Sequence, residues 1–422
     1  MKNGFPRMMV VRQKFPPTPA INVRAALEAE FTAIRSRISR GQKIAVATGS
    51  RGITHIGEIL TTLIRLIKDA GADPFIIPAM GSHGGATAEG QTEVLSEYGI
   101  TEKNFDAPIR ASMEVQRIGQ TPDGAEVFVT VEALRADGVI VVNRIKPHTD
   151  FVSDTLGSGL QKIMVVGLGK RVGAANYHAS SSRFGYEHVL KTSARVILDH
   201  APILGGVGIV ENHVHETAHI QILPREEIPS GEEKLFRLAK SLMPKLPFDD
   251  IDLLIIDRIG KNISGSGMDP NITGRGVHGY FSELGDKSRR PMVRRLFVRE
   301  LTPETRGNGI GIGMADFTTT RLVKELDLKV IAINSLTSLT PNGAKIPIHF
   351  DTDREVLENA LASLALAEIQ RAKIVRIADT LSLETTAVSE AYAEMVRQRN
   401  DLETVTPAAA FAFNSDGNLG EI

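Results

Sequence analysis

Residues 138–178, GVIVVNRIKPHTDFVSDTLGSGLQKIMVVGLGKRVGAANYH, decide how this chain is read. The opening run, Gly138 to Val142, is apolar and β-branched, which predicts a buried strand. At its carboxyl end come Arg144, Lys146 and His148, stiffened by Pro147. A glycine-rich turn with one lysine follows, Ser158-Gly-Leu-Gln-Lys162, and then a second apolar run, Ile163 to Val166, read as a short strand. After Gly167-Leu-Gly169, a small-residue segment leads to Asn176-Tyr-His178. Open α/β sheets bind ligands outside the carboxyl ends of their strands, so chemistry is expected here.

Upstream, the same grammar repeats. Helical spacing over Arg24–Ile38 precedes a strand at Lys43–Thr48, which runs into Gly49-Ser-Arg51-Gly52. Ile56, Ile59, Leu60, Leu63, Ile64 and Ile67 then share one helix face, and Gly71 ends that helix. The strand Phe75–Ile77 leads to Met80-Gly-Ser-His83-Gly-Gly85, and Thr87 caps a helix towards Leu95. Alternating strands and helices imply a mainly parallel sheet. Further strands are expected at Glu126–Val131 and Gly138–Val142, a helix at Tyr186–Asp199 and a strand at Gly206–Val210.

Charge thickens from Pro224 to Asp250, which places a domain boundary near residue 240. The expected architecture is two α/β domains, residues 1–240 and 241–422, with mainly parallel sheets and the active site in the interdomain cleft. The second domain opens on Asp252–Asp257 and a glycine-rich loop, Gly260–Gly276. Strands at Lys329–Asn334 and Lys373–Ile377 are expected, with helices over 319–326, 353–371 and 386–398. The tail after Pro407 reads as loose or locally pinned.

Composition narrows the function. Formal net charge is −1 and no dense basic block occurs, which argues against nucleic acid and anionic membrane as partners. The 422 residues include no cysteine, so disulfides, thiolate nucleophiles and cysteine-held metals are excluded. No apolar run is long enough to span a bilayer and no signal-peptide core is present, so a cytoplasmic enzyme is expected.

Three loops in the first half join a strand end to glycine or proline and a reactive side chain: Arg51, His83 and His148. Arg51 suits a bidentate grip on carboxylate or phosphate, and the two histidines suit proton transfer. Lys162, in apolar surroundings, reads equally as a covalent anchor or a phosphate-binding lysine. His178 joins no apolar stripe, and a surface histidine is its plain alternative. Two motifs mislead. Gly167-Leu-Gly169 to Gly173 mimics a dinucleotide fingerprint with one residue too many and no clean amphipathic helix after it. His215-Glu-Thr-Ala-His219 matches the zinc-protease pattern but falls in a β-hairpin context, where Glu216 points away from the imidazoles.

Arg51 after its strand, the His83 loop, Pro147-His148, Ser158-Gly-Leu-Gln-Lys162 and Asn176-Tyr-His178 together resemble the nickel-dependent lactate racemase family and its uncharacterised homologues. Segments Gly260–Gly276 and Gly307–Phe317 extend the resemblance into the second half. The resemblance implies a nickel-pincer nucleotide, pyridinium-3,5-bisthiocarboxylic acid mononucleotide nickel. Lys162 would carry its thioamide link, His178 would be the remaining nickel ligand, and Gly159, Gly167 and Gly169 would border it. It also implies His83 and His148 as the acid/base pair and Arg51 as the grip on the substrate carboxylate. The chemistry would be racemisation or epimerisation of a 2-hydroxy acid by proton-coupled hydride transfer at C2. Separate biosynthetic proteins would load the cofactor, and a homo-oligomer is allowed. The chain departs from the family pattern at the substrate end. Thr48 replaces an aspartate, the spacing from His148 to Lys162 is long, and no lysine clearly serves the carboxylate in the second half. Lys261, Asn271 and Arg275 are the candidates there, and lactate itself is put in doubt. The alternatives are a nicotinamide-dependent 2-hydroxy-acid dehydrogenase using Gly167 and Gly169, or a non-catalytic protein binding a nucleotide or hydroxy acid.

Overall fold

A computed structural model of the chain describes residues 4–18, 21–49, 52–149, 151–276 and 291–422. In chain order the strands are β1 (Met8–Gln13), β2 (Lys43–Thr48), β3 (Asp73–Pro78), β4 (Val115–Gln120), β5 (Glu126–Thr130), β6 (Gly138–Arg144), β7 (Ile203–Glu211) and β8 (Thr217–Pro224). They continue as β9 (Asp250–Ile259), β10 (Met292–Leu301), β11 (Phe317–Thr319), β12 (Ile348–Phe350), β13 (Ile374–Ile377), β14 (Thr385–Ser389) and β15 (Leu402–Ala409). The chain divides into two compact units, Thr18–Met243 and Met1–Pro17 with Pro244–Ile422. Both are α/β, with mainly parallel sheets. A boundary near residue 240 would count the first seventeen residues with the first unit. Instead β1 lies between β14 and β15 in the second unit's sheet, paired antiparallel with both.

The Thr18–Met243 unit is built on a five-stranded sheet of order β3-β2-β6-β7-β8. The first four strands are parallel and β8 closes the edge as an antiparallel hairpin with β7. Strands β2, β3 and β6 are buried on both faces, which is why they read as unbroken apolar runs. Successive side chains still point to opposite faces. Ala45, Ala47, Phe75, Ile77, Val139 and Val141 enter one core with the helices Tyr186–His200 and Ile228–Leu242. Ile44, Val46, Ile76, Ile140 and Val142 enter the other, with the helices Val23–Glu30 and Ile56–Asp69. Ile59, Leu60, Leu63, Ile64 and Ile67 are the buried stripe of that last helix, as their spacing requires.

The other unit has a sheet of order β12-β11-β10-β9-β13-β14-β1-β15, parallel from β12 to β13 and antiparallel beyond. Four expectations need correction here. Lys329–Asn334 lies inside a helix, Leu328–Thr337, because Asp327 accepts the N–H groups of Lys329 and Val330 and starts a helix that β-branched content disguised. The helix expected over 386–398 is strand β14 followed by a short helix, Ala393–Gln398. The helix from Asp353 stops at Ala362. The tail is held rather than loose. β15 pairs with β1, Arg299 donates to the Leu419 carbonyl at 2.7 Å, and Asp353 accepts the Leu419 N–H at 2.9 Å.

Candidate active site

Strand order decides which loops meet. With β2 between β3 and β6, the segments leaving all three carboxyl ends are neighbours. A Cβ on Gly49, just past β2, would lie 3.8 Å from both Asn143 and Ile163 and 4.0 Å from the Ala79 carbonyl. Arg51 lies outside the described residues.

The loop after β3 carries His83, which is exposed. Gly81, Gly84 and Gly85 all have positive φ, and Gly84 packs backbone to backbone on Gly90, leaving no room for a Cβ on either. Gln91, fully buried, donates to the carbonyls of Gly81 (2.9 Å) and His83 (3.3 Å). Its own oxygen accepts from Lys170 Nζ at 2.7 Å, and Lys170 also donates to the Pro78 carbonyl at 2.5 Å. Lys170 is buried and sits at φ 53°, a left-handed conformation uncommon outside glycine. Burial lowers its pKa to about 8, partly opposed by Glu132. Lys170 and Gln91 were not singled out from the sequence, because their role depends on contacts 79 positions apart.

The loop after β6 carries His148, which is 4% exposed. Lys146 and Ser158 exchange both backbone hydrogen bonds, at 2.9 and 2.8 Å, and this clamp folds the glycine-rich turn back beside the histidine. Asn143 secures the turn by donating to the Gly159 carbonyl at 2.8 Å. As a result Lys162 Nζ meets His148 Nε2 directly. The His148 ring stacks on Phe151 with centroids 4.6 Å apart, and Phe151 stacks on Tyr186 at 5.7 Å. Tyr186 in turn meets His178 edge-on at 6.4 Å. A run of rings therefore joins His148, with Lys162 on it, to His178. Phe151 and Tyr186 were missed in the sequence, since nothing in their spacing signals that they meet.

Two local readings change. Ile163–Gly167 is a wide, π-type helical turn rather than a strand, a form found often at functional sites. His178 lies on a helix, Lys170–Phe184, rather than in an irregular segment. That helix shows no apolar stripe because Gly173 lets it lie closely on Phe128 and Val165 of neighbouring segments. The dinucleotide pattern thus has its helix but lacks its strand. Gly167 and Gly169 are tight for packing reasons: a Cβ on Gly167 would come within 2.6 Å of the Ala79 carbonyl, and one on Gly169 would strike the Val165 carbonyl. The β7–β8 hairpin forms as expected, with His215 in its turn and His219 on β8.

Of the candidates in the other unit, Lys261 donates to the Gly265 carbonyl at 2.8 Å, and Asn271 donates to Asp269 at 2.9 Å. Arg275 is ion-paired with Asp316 at 2.7 Å and also donates to the Arg294 carbonyl at 3.1 Å. Among the described residues no three His, Asp or Glu side chains converge to hold a metal ion. Among them, too, no helix is long and apolar enough to cross a membrane.

No curated protein matches the chain. A solved structure, the lactate racemase apoprotein from Thermoanaerobacterium thermosaccharolyticum, is similar at 12% identity, covering 88% of this chain and 93% of that one, with a TM-score of 0.49. A family model described as the lactate racemase N-terminal domain matches residues 8–185, the stretch that holds His83, His148, Lys162 and His178, so this chain carries a lactate racemase N-terminal-type region.

Proposed function

We propose that the protein is a racemase or epimerase of a 2-hydroxy acid that uses a nickel-pincer nucleotide. The observation that carries this reading is the meeting of Lys162 with His148, linked by stacked rings to His178, within the region matching the racemase domain. The donor chemistry fits the group. With no cysteine in the chain, the protein offers nickel no thiolate, whereas a nucleotide bearing its own sulfur donors asks for one imidazole and one amine anchor. His178 would supply the imidazole and Lys162 the anchor. Bound there, the nucleotide would supply a reversible acceptor for the hydride leaving C2 of the substrate.

The remaining work falls to the chain's own residues. His148, buried against Phe151, would take or return the hydroxyl proton of one enantiomer. His83, on the separate loop after β3, would serve the other. Arg51 would hold the substrate carboxylate, with Lys261, Asn271 and Arg275 as further substrate contacts. The Asp150–Ser158 loop and the Gly260–Gly276 loop would set specificity, and Thr48 in place of a carboxylate favours a substrate other than lactate. Dedicated proteins would load the cofactor in the cytoplasm.

The test is nickel per chain in protein produced together with the pincer-cofactor biosynthetic proteins, beside a His178→Ala control. Near-stoichiometric nickel that falls in the control is the expected result. No nickel in either sample overturns the reading. A loaded protein should then exchange the C2 hydrogen of a 2-hydroxy acid and lose that exchange in His83→Ala and His148→Ala. A merely binding protein would show no exchange at all.

A further inference from the structure

Glu232 lies on the helix Ile228–Leu242 and is fully buried, a rare state for a carboxylate that faces no lysine or arginine in its immediate contacts. Its Oε2 accepts the backbone N–H of Gln161 at 2.9 Å. Its Oε1 rests against the Cα of Gly159, where any Cβ would collide with it, and finds no hydrogen-bond partner among the described residues. The carboxylate's partners explain its presence: they are consecutive residues of the turn Gly159-Leu-Gln-Lys162, and the next side chain along is the one that reaches His148.

We propose that Glu232 is the positioning residue for Lys162, its carboxylate holding the 159–161 backbone so that the amine is presented at His148. Gly159 is the matching half of the device, since only a residue without a side chain lets the carboxylate seat. The inference rests on the proposed function only for the purpose it gives to Lys162.

The full chain, with no cofactor added, is pulsed with a water-soluble acetylating ester, and each lysine is quantified by peptide mass spectrometry alongside amide hydrogen exchange. In Glu232→Ala, Lys162 acetylation should change by about threefold or more and exchange at the Gln161 amide should rise about tenfold or more. Lys234, exposed on the same helix, should be unaffected. Glu232→Gln keeps an oxygen for the Gln161 N–H and should restore both readings. If Glu232→Ala does not fold, Glu232→Asp, which draws the carboxylate back by one methylene, carries the same expectation. Lys162 acetylation unchanged in a folded variant, or Lys162 and Lys234 shifting together, overturns the proposal. Because no cofactor enters, this result and the nickel result can fail separately.

Discussion

Burial of Glu232 raises its carboxyl from an ordinary 4.5 to about 7, opposed by hydrogen bonds from the Gln161 backbone and side chain and from the Leu160 N–H. Between those values the folded protein keeps a proton that the unfolded chain releases. The resulting stabilisation is complete below about pH 4.5 and is lost as pH rises to 7, a difference of about 3 kcal/mol. Urea denaturation at pH 5 and pH 8 should therefore show Glu232→Gln gaining about that much on the parent at the higher pH. An unchanged difference between the two proteins would count against a buried, titrating carboxylate. Lys170 works with the opposite sign. Its lowered pKa, about 8, means stability from this group grows as pH rises above 8. Neither residue stood out in the sequence. A buried charge is recognised by what surrounds it, and those neighbours come from distant positions, Gln161 for Glu232 and Pro78 and Gln91 for Lys170.

Strands β2, β3 and β6 were legible because burial on both faces leaves a bare apolar signature. The glycine loops after β2 and β3 and the polar loop after β6 were legible for the complementary reason, since a parallel strand must end in a turn that brings polar groups to the sheet edge. Elements whose identity rests on caps or close packing were not. Val330, Ile331 and Ile333 look like a strand until Asp327 is seen to start a helix. Ile163–Val166 looks like one until its π-type turn is seen. The glycine contact between the His83 loop and its following helix gives a test at this scale. Gly90→Ala drives a Cβ into the Gly84 carbonyl and should cost about 1–3 kcal/mol in urea denaturation, the usual toll of overpacking. Faster exchange should follow at the amides from Gly81 to Ala86. A variant as stable as the parent would mean that the loop yields easily and that the Gly84–Gly90 contact does not set its shape.

Residues 18–243 form one continuous, self-contained unit with its own two cores, so that fragment should melt cooperatively when produced alone. A gradual, non-cooperative loss of helical signal on heating would show that it depends on the rest of the chain. The other unit has no such independence in sequence. β1 is made before every other strand of its sheet, yet Met8 pairs with Ser389 on one side and Ala409 on the other. The strand must wait until its partners, residues 385–409, are made, while the unit between is complete long before. Synthesis therefore imposes an order of assembly. The Thr18–Met243 unit can acquire its shape while the chain is still tethered to the ribosome, and the seam formed by β14, β1 and β15 closes last. A nascent chain stalled with residue 243 clear of the ribosome would already display the His148–Lys162 arrangement, with β1 still unpaired.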